Sequence, residues 1–285
     1  MAATESGGER IAKAMARAGL CSRREAEAWI TAGRVKVNGQ KLTSPALNVT
    51  AADTILVDGK PLPAKEKVRL WRYHKPRGLL TTAKDPQGRP TVFENLPKEL
   101  PRVVSVGRLD LNSEGLLLLT NDGALARQLE LPSRGWIRRY RVRINGQVEP
   151  KHLSALARGL TVEGIHYGAV HAALDRQQGD NAWLTMALTE GKNREIRKLC
   201  GHFGWAVSRL IRISYGPFQL GHLERGEVEE VPGKVMKEQM GLGKESAHAP
   251  HSRPAAPSSK SQPKPSAKPT AKAAPKRDAH RRRQP

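Results

Sequence analysis

The hydrophobic positions between Glu9 and Gly33 recur at helical spacing and predict two short helices. The first helix should end at Gly19, because glycine is suited to the left-handed conformation at a helix C-terminus. The second should begin at Ser22, which forms a Ser-x-x-Glu capping box with Glu25. The apolar positions of the two helices are Ile11, Ala14, Met15, Ala18, Ala26, Trp29 and Ile30.

After these helices the pattern changes from helical spacing to alternation. Val35 and Val37 alternate with basic residues, and Asn38-Gly39 is the dipeptide that a two-residue type I′ turn prefers. A β-hairpin is therefore predicted to follow the helices. We assign residues 1–8 to a flexible N-terminus and residues 9–67 to a small domain and its linker.

The stretch 68–243 mixes short apolar runs with amphipathic segments and predicts a larger α+β domain. In the run 138–144, Tyr140, Val142 and Ile144 alternate with arginines, which indicates a strand with one apolar and one basic side. The predicted strands are 68–74, 103–106, 116–119, 138–144, 183–188 and 207–213, and the predicted helices begin near Asp122 and Pro150 and include Ile196 to Phe203.

The charge of the chain indicates a polyanionic partner. Its formal net charge is +22, and no apolar run is long enough for a membrane-spanning helix, so nucleic acid is favoured over a membrane. Cys21 and Cys200 are the two cysteines and have no metal-ligand spacing. We therefore expect no metal or other cofactor, no disulfide, and a location in the reducing cytoplasm.

The most informative stretch is the polar loop between the apolar runs 103–106 and 116–119. It contains Arg108, Asp110 and Glu114, and two buried strands would hold it rigid, as a site of chemistry requires. An isolated Arg-Leu-Asp usually belongs to a turn with solvated charges. The surrounding residues decide between these interpretations.

Residues 107–123 contain Gly-Arg-Leu-Asp and then Ser-Glu-Gly-Leu-Leu-Leu-Leu-Thr-Asn-Asp-Gly. This stretch resembles the signature of the RNA pseudouridine synthases, in particular the branch that modifies ribosomal RNA. The resemblance implies a mixed, mainly antiparallel sheet with flanking helices. It also implies that Asp110 is the catalytic carboxylate and that Arg108 enters the RNA helix when the target uridine is flipped out.

Three further motifs extend the resemblance. Lys75-Pro76-x-Gly78 is similar to a structural motif of the family, so we assign Lys75 no chemistry, and residues 85–93 resemble the large-subunit enzymes of the B type. A tyrosine on an apolar strand face is usually a core residue, but the resemblance places Tyr140 against the flipped uracil. The strand near residue 210 would wall the uracil pocket with Leu210 or Ile211.

The motif Glu-Gly-Lys-Asn-Arg-x-x-Arg is also similar to one of this family, and by resemblance its second arginine, Arg197, pairs with Asp110. Burial disfavours an ionised carboxylate, yet only that form acts as a nucleophile or base. A facing guanidinium would hold the carboxylate charged and fix its direction.

The small N-terminal domain resembles the S4 RNA-binding module through Ser-Arg-Arg-Glu-Ala and Gly-Arg-Val-Lys-Val-Asn-Gly. Any single basic residue is usually a solvated charge, but as a set in so basic a chain they favour phosphate contact. The predicted RNA-binding residues of both domains are Lys13, Arg17, Arg23, Arg24, Arg34, Lys36, Lys41, Arg139, Arg141, Lys192, Arg194 and Lys198.

Residues 244–285 predict a disordered basic tail, because ten Lys and Arg follow Ser246 without apolar periodicity. It is either an inert terminus or a flexible arm that adds affinity for RNA.

The expected activity is isomerisation of a uridine in ribosomal RNA, from 23S rRNA or a large-subunit precursor, by a monomer. Whether Asp110 attacks C1′ or assists removal of a C2′ proton stays open. The alternative function is a non-catalytic RNA-binding assembly factor.

Overall fold

The structure is a computed structural model, and it describes residues 8–240. The predicted N-terminus and the basic tail, with its predicted RNA contact, lie almost entirely outside this range. The N-terminal part contains β1 Glu9–Arg10, α1 Ile11–Arg17, α2 Arg23–Thr31, β2 Val35–Val37, β3 Gln40–Lys41, β4 Asn48–Val49, β5 Ile55–Val57 and β6 Lys60–Pro61.

The local signals of the N-terminal part are present in the structure. The Ser22 hydroxyl accepts from the Glu25 amide at 3.1 Å, and the Glu25 carboxylate accepts from the Ser22 amide at 2.8 Å. Asn38 and Gly39 both have positive φ, 50° and 83°, as the hairpin between β2 and β3 requires. The capping box and the hairpin predicted from the sequence are therefore confirmed.

The larger part contains two 3₁₀ turns, at Phe93–Asn95 and Pro132–Arg134. Its four short α-helices are α3 Gly123–Glu130, α4 Pro150–Arg158, α5 Glu195–His202 and α6 Gly233–Gln239. Its strands are β7 Leu70–Lys75, β8 Val104–Val106, β9 Glu114–Thr120, β10 Arg138–Asn145, β11 Leu160–Val162, β12 Ile165–Tyr167, β13 His171–Gln178, β14 Asn181–Leu188, β15 Ala206–Tyr215, β16 Phe218–Gln219 and β17 Val228–Glu230.

The described residues thus contain six α-helices in all, two in the N-terminal part and four in the larger part.

A nine-stranded sheet forms the centre of the larger part. Its main order is β13-β14-β10-β15-β9-β7-β17, with β16 paired to β15 and β8 paired to β9. All of these pairings are antiparallel except β15 with β9, which run parallel where Ile211 faces Glu114 and Arg212 faces Gly115. The Arg212 backbone lies where a side chain at Gly115 would point, so this close approach requires glycine.

The two sides of the sheet are covered differently. On one side, α4 and α5 pack on β10 and β14 through a buried cluster that includes Val142, Leu184 and Leu199. On the other side, α3 and α6 pack on β9 and β7 through Leu116, Leu118 and their neighbours. Strand β9 is buried along its whole length, because both of its faces are covered.

The predicted α+β class and the mixed, mainly antiparallel sheet with flanking helices are confirmed. Strand β10 alternates as predicted, with Val142 and Ile144 buried and the arginines between them exposed. In the segment before β10, α3 ends at Glu130 and a 3₁₀ turn begins at Pro132. Proline fixes φ and lacks an amide hydrogen, so it stops the helix but fits the first turn of a new helical segment.

Asp122 caps α3 and provides a test of this part of the fold. Its carboxylate accepts from the Ala124 amide at 2.7 Å and from the Leu125 amide at 2.9 Å, and the side chain is buried. We expect Asp122→Ala to lower the free energy of unfolding by about 1–2 kcal/mol, because two helix amides lose their acceptor. Urea denaturation of the two proteins measures this difference. Glu99→Ala, which removes an exposed carboxylate that has no hydrogen bond among residues 8–240, serves as a comparison, and an equal or larger loss there would contradict the assignment.

Candidate active site

A buried lysine holds the loop of residues 107–113 between β8 and β9 through hydrogen bonds to its backbone. Lys75 has no exposed surface, and its Nζ donates to the carbonyl oxygens of Pro76 at 3.1 Å, Asp110 at 3.1 Å and Ser113 at 2.9 Å. The lysine therefore holds the backbone of Asp110 itself. The resemblance of Lys75-Pro76-x-Gly78 to a structural motif of the family implied a supporting position for this lysine and no chemistry.

Further hydrogen bonds hold the same loop from its sides. Thr81 Oγ1 donates to the Leu109 carbonyl at 2.9 Å, and the Gly78 amide donates to the Leu111 carbonyl at 2.8 Å. Glu130, at the end of α3, accepts from the Gly107 amide at 2.6 Å. A loop bonded at so many backbone positions presents its side chains in a fixed geometry.

Above the loop lies an open cavity of about 700 Å³. Arg108, Asp110, Tyr140 and Leu210 all line it, so four of the predicted site residues are brought together. Arg108 is exposed and has no hydrogen-bond or ion-pair partner within residues 8–240. Ile211 points to the opposite side of the sheet and packs with the α3 cluster, so Leu210 is the pocket residue of the two.

The predicted pairing of Asp110 with Arg197 needs correction. The ion pair of Asp110 is with Arg194, whose Nη1 lies 3.6 Å from Asp110 Oδ2. Arg197 instead donates from Nη2 to the Asn112 carbonyl at 3.0 Å and from Nη1 to the Val207 carbonyl at 3.3 Å. These carbonyl oxygens engage the two terminal nitrogens of Arg197, and burial lowers the pKa of Arg197 from its ordinary value.

The conformation of Arg194 explains why it reaches the carboxylate. It precedes α5 with left-handed backbone angles, φ 51° and ψ 31°, which are uncommon for a residue other than glycine. This turn directs its side chain away from the helix and towards the loop. Left-handed residues of this kind concentrate at functional sites.

Three cavity residues were not predicted from the sequence. They are Arg138, Arg212 and Tyr215, and the guanidinium carbons of the two arginines lie 4.9 and 5.0 Å from the Tyr215 ring centre. Arg138 Nη2 donates to the Tyr215 hydroxyl at 3.2 Å, and Arg212 Nε donates to the Leu116 carbonyl at 2.7 Å. Strand alternation is the signal that was available, because Arg138 is two residues from Tyr140 and Arg212 is two residues from Leu210.

Two predicted RNA-binding residues lie on the wrong side of the sheet for the cavity. Arg139 and Arg141 flank Tyr140 in β10, so their side chains point to the opposite face. Arg141 lies 3.7 Å from Asp175 and stacks over Trp183 at 4.8 Å. Contact of these two arginines with the phosphates beside a nucleotide in the cavity is therefore inconsistent with the geometry.

Two further predicted RNA-binding residues of the larger part, Lys192 and Lys198, are close to α5. Lys192 lines the cavity, and its ammonium group is paired with Glu190 at 2.5 Å. Lys198 lies further along the helix, 3.8 Å from Glu163, and is not among the cavity residues. Only Lys192 of these two is placed to contact RNA at the cavity.

The predicted cations of the N-terminal part lie on its surface. Lys13 and Arg17 both pair with Glu9, and Arg34 pairs with Asp58 and stacks over Trp29. The exposed residues without such a pair among residues 8–240 are Arg23, Arg24, Lys36 and Lys41. Their contact with RNA stays a prediction.

Burial of Lys75 makes the stability of the protein depend on pH. Desolvation lowers the pKa of Lys75 to about 8 from the ordinary 10.5 of a lysine. Below pH 8 the ammonium is charged in the folded and unfolded states alike, and the cost of burying it is fully present. Between about pH 8 and 10.5 the unfolded chain binds the additional proton, so the contribution of Lys75 to the free energy of unfolding rises with pH.

We therefore expect the parent protein to gain about 2 kcal/mol relative to Lys75→Met between pH 7.5 and 9.5. Urea denaturation of both proteins at the two pH values measures this gain, and taking the difference removes the titration of all other groups. A difference that stays constant or falls with pH would show that Lys75 is not a desolvated ammonium.

Comparisons with known proteins identify the family to which this chain belongs. The sequence profile of the family described as RNA pseudouridylate synthase matches residues 69–202, and that of the S4 domain matches residues 9–55. The chain belongs to the RNA pseudouridine synthase family and has an S4 domain at its N-terminus. Both resemblances noted in the sequence are thereby confirmed.

Two relatives and one solved structure illustrate the extent of the similarity. An RNA pseudouridine synthase of Rickettsia bellii is 51% identical over 229 residues, which cover 80% of this chain and 99% of that protein. Ribosomal large subunit pseudouridine synthase B of Yersinia pestis is 45% identical over 219 residues, which cover 75% of this chain and 69% of that protein. A crystal structure of a pseudouridylate synthase matches with a TM-score of 0.57 and 25% identity, covering 81% of this chain and 99% of that one.

None of the helices within residues 8–240 has the length and apolar character needed to cross a bilayer.

Proposed function

We propose that this chain converts a uridine of large-subunit ribosomal RNA to pseudouridine, with Asp110 as the catalytic carboxylate. The observation that carries the proposal is the position of Asp110, which is held by a multiply bonded loop at the base of a cavity that also contains Tyr140. Large-subunit RNA is proposed because relatives such as the Yersinia pestis protein are named for that substrate. Action on ribosomal RNA would place the enzyme in the cytoplasm, and the monomeric state stays a prediction.

The reaction fits the residues that line the cavity. Isomerisation breaks the bond from C1′ to N1, turns the uracil while it remains bound, and joins C1′ to C5. N1 takes up a proton, the hydrogen on C5 leaves as a proton, and no electrons are exchanged, so the proposal includes no cofactor. Asp110 acts either by adding to C1′ or by assisting removal of a C2′ proton, and both roles require a carboxylate beside the sugar.

Tyr140 and Leu210 would hold the detached uracil. They lie on neighbouring strands of the same sheet face, and both line the cavity. An aromatic ring offers a face on which a base stacks, and an aliphatic side chain opposite it completes an apolar slot. The slot would keep the uracil close to C1′ while it turns.

Entry of the uridine into this cavity requires that it leave the RNA stack. Arg108 suits that step, because its guanidinium is exposed at the cavity and engages no described partner. An inserted guanidinium would stack between bases and donate hydrogen bonds in place of the everted nucleotide. Arg194 and Lys192 add positive charge at the cavity for the flanking phosphates.

Hydrolysis of the glycosidic bond is a less suitable reaction for this site. A hydrolase of the common type needs a second carboxylate free to act on a water molecule. Two glutamates line the cavity, and both bind backbone amides: Glu130 accepts from the Gly107 amide at 2.6 Å, and Glu195 accepts from the Lys192 amide at 2.8 Å. Glu114 is next to the loop but does not line the cavity, and Arg209 binds it through Nε at 2.6 Å and Nη2 at 3.2 Å. Its pKa is lowered by this pairing despite burial, so it is held as a buried counterion.

Tritium release from RNA that contains 5-tritiated uridine tests the proposed reaction. Joining C1′ to C5 expels the C5 hydrogen, so the chain should release tritium from large-subunit ribosomal RNA under multiple-turnover conditions. The rival function, a non-catalytic assembly factor, predicts tight RNA binding without release. That result with folded protein, on both free RNA and precursor subunits, would reject the proposed activity.

A further inference from the structure

The open side of the sheet, opposite the cavity, is rich in arginine. Arg139, Arg141 and Arg143 occupy alternate positions of β10 and point to this side, while Tyr140 and Val142 point to the cavity side. All three arginines are exposed. The alternate spacing sets the Cα atoms of successive arginines about 7 Å apart along the strand.

Neighbouring strands add to this surface. Arg143 is directly opposite Trp183 of β14 on one side and Arg209 of β15 on the other, and Trp183 is in turn opposite Arg176 of β13. Side chains in such cross-strand pairs lie on the same face of a sheet. A row of three arginines and one tryptophan therefore crosses four strands. We call the surface formed by Arg139, Arg141, Arg143, Arg176 and Trp183 the arginine face.

No described helix covers this face. Helices α3 and α6 pack on the same side of the sheet, but against β9 and β7 and not against β10 or β14. The described residues form four buried hydrophobic clusters. None of them includes a side chain of β10 or β14 that points to the arginine face. Trp183 is therefore left partly exposed on a bare sheet surface.

The charges of the arginine face are not balanced within the described part of the chain. Asp175 lies 3.7 Å from Arg141, and Glu114 binds Arg209, but Arg139, Arg143 and Arg176 have no acidic partner within 4 Å among residues 8–240. A polyanion bound on this face would balance the charges of Arg139, Arg143 and Arg176.

We propose that the arginine face is a second RNA-binding surface, separate from the active site. Arg139, Arg143 and Arg176 would contact phosphates, and a base would stack on the exposed part of Trp183, whose ring Arg141 already orients. Exposed sheet faces that combine aromatic and basic side chains are a recurrent means of binding unpaired RNA. The occupant we propose is therefore a single-stranded RNA segment.

Charge favours RNA over a protein partner on this face. Four arginines lie on this face against the single carboxylate of Asp175, and a cluster of excess positive charge is typical of a nucleic-acid-binding surface. The sheet lies between the arginine face and the cavity, so one nucleotide cannot contact both. The bound segment must therefore be a part of the RNA that is remote from the target uridine. A long RNA would then make more contacts with the protein than a short hairpin.

Two matched double variants test this proposal. Arg143→Gln with Arg176→Gln removes two charges from the arginine face, and Lys234→Gln with Lys237→Gln removes two exposed charges from α6. Affinity for poly(U) is measured by fluorescence anisotropy over a range of salt concentrations, with the full chain in each case. Circular dichroism and urea denaturation check that each variant is folded.

The arginine variant should bind poly(U) about tenfold more weakly at low salt, and the slope of log affinity against log salt should fall by about 1.4, or about 0.7 for each lost phosphate contact. The lysine variant should change neither value appreciably. Trp183→Leu should weaken binding about tenfold and leave the slope unchanged, because base stacking releases no counterions.

Equal effects of the arginine and lysine variants would overturn the proposal, as would an unchanged affinity and slope for the arginine variant. Loss of binding to assembled large subunits without loss on poly(U) would assign the face to a ribosomal protein, which also overturns it. Poly(U) binding does not depend on isomerisation. The result therefore stands whether or not the chain releases tritium from ribosomal RNA.

Discussion

Asp110→Asn is expected to reduce tritium release from ribosomal RNA to background, a loss on the order of 10⁴-fold or more in kcat. Asparagine keeps the size and shape of the side chain but is neither a nucleophile towards C1′ nor a base for the C2′ proton. The loop is held through its backbone by Lys75, Thr81 and Glu130, so its conformation should persist in the variant.

RNA binding separates a chemical defect from a folding defect in this experiment. Asp110→Asn should bind ribosomal RNA at least as tightly as the parent, because it removes a negative charge from a site that receives phosphates. Asp180→Asn, a carboxylate in the exposed turn between β13 and β14, provides the matched control and should retain full activity. Activity of Asp110→Asn within tenfold of the parent would remove Asp110 from the mechanism.

Arg197→Met is expected to lower kcat about 100-fold, a larger effect than Arg194→Met. Arg197 binds the Asn112 carbonyl of the catalytic loop and the Val207 carbonyl of β15, so its loss frees the loop from the sheet. A shift of about 1 Å in a reacting group costs about 100-fold in rate. Arg194 makes one exposed ion pair at 3.6 Å, which is worth at most about 1 kcal/mol, or about fivefold.

Single-turnover rates of the two arginine variants at saturating RNA provide the comparison. Both substitutions remove one positive charge, so general effects on RNA affinity are matched. A larger loss in Arg194→Met than in Arg197→Met would show that the ion pair with Asp110, and not the support of the loop, is the more important function of this motif.

Local signals in the sequence predicted much of the fold. The capping box at Ser22, the cap at Asp122 and the alternation of β10 each depend on neighbouring residues, and each is present in the structure. The position of the loop around Asp110 was also predictable, because apolar runs enclose it on both sides. Sequence periodicity is sufficient to predict features that depend only on residues close together in the chain.

Long-range contacts could not be predicted in the same way. Lys75 reaches the Asp110 carbonyl across 35 positions of the chain, and a lysine beside a proline gives no local sign of burial. The ion pair of Asp110 depends on the left-handed backbone of Arg194, which is unusual for an arginine. Arg138 and Arg212 required the pairing of β10 with β15 before they could be placed around Tyr215.

The central claim is that this chain makes pseudouridine in ribosomal RNA through Asp110, and mapping of pseudouridines in a deletion strain tests it most directly. Carbodiimide modification followed by reverse transcription locates each pseudouridine in the RNA of the large subunit. The account predicts that a pseudouridine is lost in the deletion strain and is restored by the parent chain but not by Asp110→Asn. An unchanged map, or equal restoration by the Asp110→Asn variant, would contradict it.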